Sequence, residues 1–394
     1  MSWGRDPSFE LGDAGPRFTR WIESPAWDLV WVLNGLWLAP LVLLLARGHA
    51  EVRASPVEGL FFVLTVPLWL GHRFSSTWLA YATPAYRPLL AAQPLRFVVA
   101  PLTIAAGCFA LLLAPASVLP IPRSERVVWL AVLDYLLVSH HFAAQHFGLL
   151  SLYRVRAGRA ADPVARRLDR GFALVVGGGL VVLAEALAGS IAFQERWIDP
   201  LLGAGWSDAV ARTLREGGIG FVAAATALML GVELCSRRPS LPRVAYVLGV
   251  SGMVLFAFAA RDPFLFIVPW SVQHWSAAMG VSALAASGGA QSPGPRWQRL
   301  LAPINRRAWA VLLALAIVSV LLLPLMEVEA VADDYVYADR IYGAAARWLR
   351  SSPFVPALLA LGFATGFIHY LLDRAAFRFS SPAVRQAARG LLRS

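Results

Sequence analysis

Stretches of about twenty predominantly apolar residues, each long enough to cross a bilayer, recur ten times along this chain. Hydrocarbon offers a backbone no hydrogen-bond partners, so such stretches satisfy their own amides as helices. They cover residues 27–46, 56–80, 95–114, 126–152, 171–189, 217–235, 241–260, 263–286, 307–326 and 353–372. The expected fold class is all-α, a polytopic transmembrane bundle of about ten spans. Composition agrees. The chain is 58% hydrophobic with 15% charged residues, where soluble domains carry about a quarter. Its mean hydropathy is +0.59. Little polar sequence remains for a soluble domain, so residues 1–394 read as a single integral membrane domain.

The loop charges orient this bundle. Arg154, Arg156, Arg159, Arg166, Arg167 and Arg170 follow the fourth stretch, and Arg237, Arg238 and Arg243 follow the sixth. Arg296, Arg299, Arg306 and Arg307 follow the eighth, and residues 374–394 form a basic tail. The opposite loops carry Glu195, Glu216, Glu327, Glu329, Asp333, Asp334 and Asp339. Positive-inside counting puts both termini, including the segment 1–26, in the cytoplasm. The membrane expected is a bacterial inner membrane. Residues 191–216 and 331–350 mix aromatic and charged residues and read as outer interfacial segments. A lid over a substrate entrance is the other reading of them. The net charge of +11 serves topology rather than nucleic-acid binding. Residues 1–22 hold no apolar run before a small-residue cleavage site, so the first helix is expected to stay as an anchor. Cys108 and Cys235 have no CxxC partner, which points away from a disulfide framework or a thiolate metal site.

Six of the seven histidines fall inside the apolar stretches: His72, His140, His141, His146, His274 and His369. Imidazole is costly in hydrocarbon and is the commonest metal ligand. All six lie on even-numbered stretches. With a rise of about 1.5 Å per residue, four of those helices present imidazoles at roughly 17 to 30 Å from their outer ends. Glu233 lies at a similar depth, as a ligand, a proton carrier or an interfacial charge beside Arg237 and Arg238.

Helical spacing sorts the fourth stretch into faces. Asp134, His141 and Gln145 share one, Tyr135, Ser139 and His146 another, and His140 points between them. One helix therefore cannot aim all three imidazoles at one ion. Asp373 follows His369 by one turn, where a carboxylate orients a ligating imidazole or pairs with Arg374. Gln273 and His274 form a polar cluster in mid-membrane, expected to face the bundle interior. Gly177, Gly178 and Gly179 suit close helix packing.

The stretch DYLLVSHHFAAQHFGLLSLYR, residues 134–154, resembles a family of bacterial polytopic membrane proteins with an HHFxxQHFGL motif. HYLLDRAAFRFSSP, residues 369–382, resembles their HYxxDxxxFR motif, and GHRFSSTWLAYATPAYR and VQHWSAAMG are weaker matches. This resemblance implies a family and no activity. The arrangement is also loosely similar to histidine-rich membrane iron oxygenases, such as desaturases, hydroxylases and carotene-cleaving dioxygenases. It departs from the desaturase pattern, because three HxxHH-type boxes are replaced by one His-His pair and scattered single histidines. That departure points away from a di-iron desaturase mechanism and leaves a mononuclear or unconventional site open.

The expected function is a membrane-embedded, histidine-ligated metalloenzyme, an iron-dependent oxygenase or oxidoreductase acting on a lipid or isoprenoid. His141, His274 and His369 are the preferred ligands, then His72 and His140, with His146 completing the set. Asp134 and Asp373 would orient ligands, and Gln145 and Gln273 would bind substrate or water. Expected partners are membrane lipids, a hydrophobic small-molecule substrate and an electron donor. The alternatives are a b-type haem or quinone-interacting subunit, and an accessory subunit or proton-coupled transporter in a larger complex.

Overall fold

The computed structural model describes residues 20–49, 51–160, 162–187, 208–260, 262–288, 295–327, 337–379, 381–388 and 391. Residues 1–19, 191–207 and 331–336 of the expected terminal and outer segments lie outside them. The described residues form helices without a strand. In chain order these are α1 (Pro25–Trp31), α2 (Gly35–Ala46), α3 (Pro56–Thr77), α4 (Arg87–Ala92), α5 (Ala100–Leu113) and α6 (Arg123–Arg156). There follow α7 (Pro163–Leu174), α8 (Leu180–Leu187), α9 (Asp208–Leu234), α10 (Leu241–Ala259), α11 (Pro263–Gly288) and α12 (Arg296–Asn305). The last five are α13 (Ala308–Met326), α14 (Ala338–Tyr342), α15 (Ala344–Ser351), α16 (Val355–Ala376) and α17 (Pro382–Ala387). Single π turns continue α3 (Trp78–Ala82), precede α5 (Leu95–Val99) and join α7 to α8 (Val175–Gly179).

Among the described residues every expected apolar stretch falls mainly on helix, the first of them broken between Trp31 and Gly35. Six described helices are long and apolar enough to cross a membrane: Leu95–Leu113, Arg123–Arg156, Ala209–Leu234, Leu241–Ala259, Ala308–Met326 and Val355–Ala376. The pair α1 and α2, bent by 53°, makes a seventh if it is one span. α3, α11 and the α7–α8 stretch are not among them. α3 and α11 carry polar residues that are buried in protein, such as His72, Ser75, Ser76, Gln273 and His274.

The chain forms two compact units. The first holds residues up to 58 and 139–274, the second residues 59–138 and 275–391. In the first, α10 packs against α2, α8 and α9. Small residues permit this. A Cβ on Gly35 would stand 3.3 Å from the Gly249 carbonyl oxygen and press on the end of the Met253 side chain, so a small residue suits the close approach of α2 and α10. α1 begins at Ser24, whose Oγ accepts from the Trp27 amide at 3.2 Å, an ordinary N-cap.

In the second unit, α16 packs against α5 along Cys108, Leu112, Ala360, Phe363, Ala364 and Phe367. Pro67 interrupts the hydrogen-bond ladder of α3. One turn away, Ser319 of α13 inserts its hydroxyl between Val66 and Leu70. It donates to the Val66 carbonyl at 2.6 Å and accepts from the Leu70 amide at 3.2 Å. Arg126 ends α5 by donating to the carbonyls of Leu111, Ala114, Leu119 and Ile121, replacing partners that helix termini lack.

Candidate functional site

Within the first unit, α6 sorts its histidines as a rise of 100° per residue requires. His141 faces α11, where its ring meets that of His274 edge-on, with centroids 4.9 Å apart and planes at 86°. Gln145, one turn later, donates its amide to the His274 carbonyl at 3.0 Å. Phe142 packs its ring 4.1 Å from that of His274. His141 is 5% exposed and His274 4%.

His146 takes a different face. Its Nδ1 lies 2.6 Å from the Tyr246 hydroxyl of α10, and its ring centroid is 5.2 Å from that of Trp270. Gly177 makes room for it, since a Cβ there would stand 2.8 Å from His146 Cδ2. The glycine run therefore serves close packing, with a histidine ring as the group accommodated. Gln273 hydrogen-bonds Tyr246 and donates to the Val32 carbonyl at 3.1 Å, at the bend between α1 and α2. His140 is exposed and joins neither group.

The second unit holds another imidazole pair. His72 of α3 and His369 of α16 meet edge-on, with centroids 4.8 Å apart and planes at 87°. His72 is 6% exposed and His369 1%. Nδ1 of His72 contacts the Trp69 carbonyl of its own helix. The indole of Trp275, the residue after His274 on α11, stacks on His72 at 5.9 Å and 27°. Its opposite neighbour is Phe61, at 6.1 Å and 17°.

Ser76, one turn after His72, brings its Oγ to 3.1 Å from His369 Nδ1. The same hydroxyl hydrogen-bonds Asp373, whose Oδ1 lies 3.7 Å from His369 Nδ1. Asp134 accepts from the Tyr370 hydroxyl at 3.1 Å. It lies opposite Gly366, where an added Cβ would be 3.6 Å from Oδ1.

Sequence reasoning singled out the histidines and Asp373 but missed Ser76, Trp275, Phe142 and Tyr246. Ser76 was detectable, since it follows His72 by four residues and shares its helix face. The partners on other helices carry no such signal.

Glu233 resolves into a charge network. It pairs with Arg159 Nη1 at 2.7 Å and with Arg243, and accepts from the Ser240 amide at 2.7 Å. Arg243 also pairs with Asp169, which Arg154 Nε reaches at 3.0 Å. Arg243, Asp169 and Glu233 are all buried. A carboxylate engaged by two guanidiniums is an ion-pair partner, which is the interfacial-charge reading of Glu233.

Comparison with protein-family models, with curated proteins and with solved structures finds no match to this chain.

Proposed function

We propose that the chain is a membrane-embedded oxidoreductase whose metal ion is held by imidazoles, an iron-dependent oxygenase acting on a lipid or isoprenoid. The observation that carries this reading is the pairing of four buried histidines, His141 with His274 and His72 with His369. Neutral imidazoles present acceptor nitrogens, and two of them grouped edge to face suit a cation. The proposed ligands are His141 with His274 in the first unit and His369 with His72 in the second. His140, which is exposed, and His146, which is committed to Tyr246, take other roles.

Iron suits imidazole and carboxylate donors with open positions, and when bound it would supply oxygen activation. The protein's own residues do the remaining work. Ser76 and Asp373 set the tautomer and ring angle of His369. Gln145 holds the backbone of His274, and its Oε1 has no hydrogen-bond partner among the described residues. That leaves an acceptor for water or substrate. Trp275 and Phe142 wall the two pairs with apolar surface, which favours a hydrocarbon substrate and excludes bulk water. An electron donor is a required partner, and the membrane supplies the substrate. The motifs of α6 and α16 carry the proposed grouping with bacterial polytopic membrane proteins and histidine-rich membrane oxygenases.

We assign the chain ten spans with both termini cytoplasmic, in a bacterial inner membrane. The arginine-rich loops and the coincidence of helices with ten apolar stretches support this.

The second reading is a haem held by two histidines. With metal–imidazole bonds of about 2 Å, ligands on opposite sides of one iron have ring centres about 6 Å apart. Both pairs are closer and perpendicular, which favours the non-haem reading. Metal analysis of the purified protein with a visible spectrum tests the proposal. Stoichiometric iron without a Soret band is the expected result. A Soret band would replace it with the haem reading, and absence of any bound metal would overturn both.

A further inference from the structure

The arginine-rich end of the first unit carries an inference that stands apart from the metal reading. The turn after α9 runs between two candidate membrane spans, Ala209–Leu234 and Leu241–Ala259. Arg237 and Arg238 on that turn are exposed, so they lie at a membrane surface if both helices span. The turn is tied to the segment before α7. Arg159 bonds Ser236 at 3.1 Å, Asp162 at 3.1 Å and Glu233 at 2.7 Å. Arg238 reaches the Gly158 carbonyl at 3.4 Å.

α7 continues this surface. It buries Ala165, Asp169, Phe172 and Ala173, and exposes Arg167 and Arg170. The buried bonds of Asp169 with Arg154 and Arg243 hold that rotation of the helix. Exposed apolar residues flank the arginines: Val164 is 59% exposed, Leu174 45% and Leu234 62%. Basic groups beside exposed apolar ones mark a helix at the boundary between headgroups and hydrocarbon.

The local charge balance sets the sign. Asp162, Asp169 and Glu233 are bonded to Arg154, Arg159 and Arg243, three acids against three bases. Arg167, Arg170, Arg237 and Arg238 come in addition to this balance.

We infer that α7 and the α9–α10 turn form a docking surface for acidic phospholipid headgroups, built on Arg167, Arg170, Arg237 and Arg238. The headgroup phosphates meet the guanidiniums while acyl chains lie along Val164, Leu174 and Leu234. Each basic residue at an anionic membrane surface strengthens binding about fivefold at low salt. The surface therefore enriches acidic lipid next to the protein several-fold.

The test uses the full chain in phosphatidylcholine nanodiscs with a trace of spin-labelled phosphatidylglycerol or phosphatidylcholine. The expected result is a several-fold preference for phosphatidylglycerol in the motionally restricted lipid. The variant R167Q/R170Q/R237Q/R238Q should bring the ratio close to one, while the fourfold lysine variant keeps it. R347Q, which removes an exposed arginine on α15, should leave it unchanged. Should the glutamine variant fail to fold, salt decides with the wild-type protein. The preference should vanish at about 1 M salt, where the screening length is about 3 Å. An unchanged ratio in a folded glutamine variant, an equal loss in R347Q, or a preference surviving high salt would overturn the inference. So would displacement of the labelled lipid by a single-stranded oligonucleotide, which would give the surface to nucleic acid.

Discussion

His369 and Asp373 stand one helical turn apart on α16, with 3.7 Å between Nδ1 and Oδ1. That distance is beyond a hydrogen bond, and the Ser76 hydroxyl occupies the nearer position, 3.1 Å from Nδ1. The imidazole is thus oriented from two helices. Groups that fix a ligating imidazole typically contribute about 10- to 100-fold to metal affinity or activity. Asp373→Asn and Ser76→Ala should each weaken metal retention by about that factor and leave the helices intact. His369→Ala should abolish retention, and His49→Ala should change nothing. Metal content by plasma mass spectrometry, with thermal unfolding as a fold control, measures this. Wild-type metal in both His369→Ala and Asp373→Asn would make His369 a structural residue.

Gly177 should tolerate no side chain. An alanine Cβ would sit 2.8 Å from His146 Cδ2, and overpacking of this kind costs about 1–3 kcal/mol. Gly231, on α9, has no heavy atom within 4 Å of such a Cβ. There alanine is the better helix former and should be neutral or stabilising by up to about 1 kcal/mol. Thermal unfolding in detergent compares the two. Equal effects would mean that His146 can swing away.

Asp162 opens α7, its Oδ1 accepting from the Ala165 amide at 3.0 Å. Asp162→Ala should cost about 1 kcal/mol, the usual value of a helix cap. The backbone hydrogen bond from Ala165, aided by the Arg159 guanidinium, holds its carboxyl below the ordinary value of 3.8. A depressed acid stabilises the folded state above its unfolded pKa, and loses that contribution as pH falls through the folded one. The stability difference between wild type and Asp162→Asn should therefore be constant above about pH 5 and shrink below pH 3.8. Unfolding midpoints across that range report it. A gap that widens on acidification would reverse the assignment.

Orientation is checked from the C-terminus. A reporter fused after Ser394 should read cytoplasmic, as the proposed ten spans with arginine-rich inner loops require. A signal from the far side would mean that one of the ten segments does not cross, and α3, α11 and the α7–α8 stretch are the first to re-examine.

The histidines and Asp373 were legible because their signal is one-dimensional. A polar residue inside an apolar run stands out wherever the helix later packs. The separation of His141 from His146 was equally legible, since five residues of α-helix carry them to different faces. Tyr246, which takes up His146 from a hundred positions away, was not. Nor were the partners of Glu233, which are Arg159 and Arg243 from other segments rather than the neighbouring Arg237 and Arg238.

Apolar runs alone were enough to determine helices among the described residues, several of them long and apolar enough to cross a membrane, because each such helix meets its backbone requirements within itself. Tertiary structure decided which polar residues meet. Ser76 against His369, Gln145 against His274 and Ser319 in the ladder of α3 all join residues distant in sequence. Such contacts depend on helix crossings and rotations set by side-chain packing over whole faces, which hydrophobic periodicity along one helix does not encode.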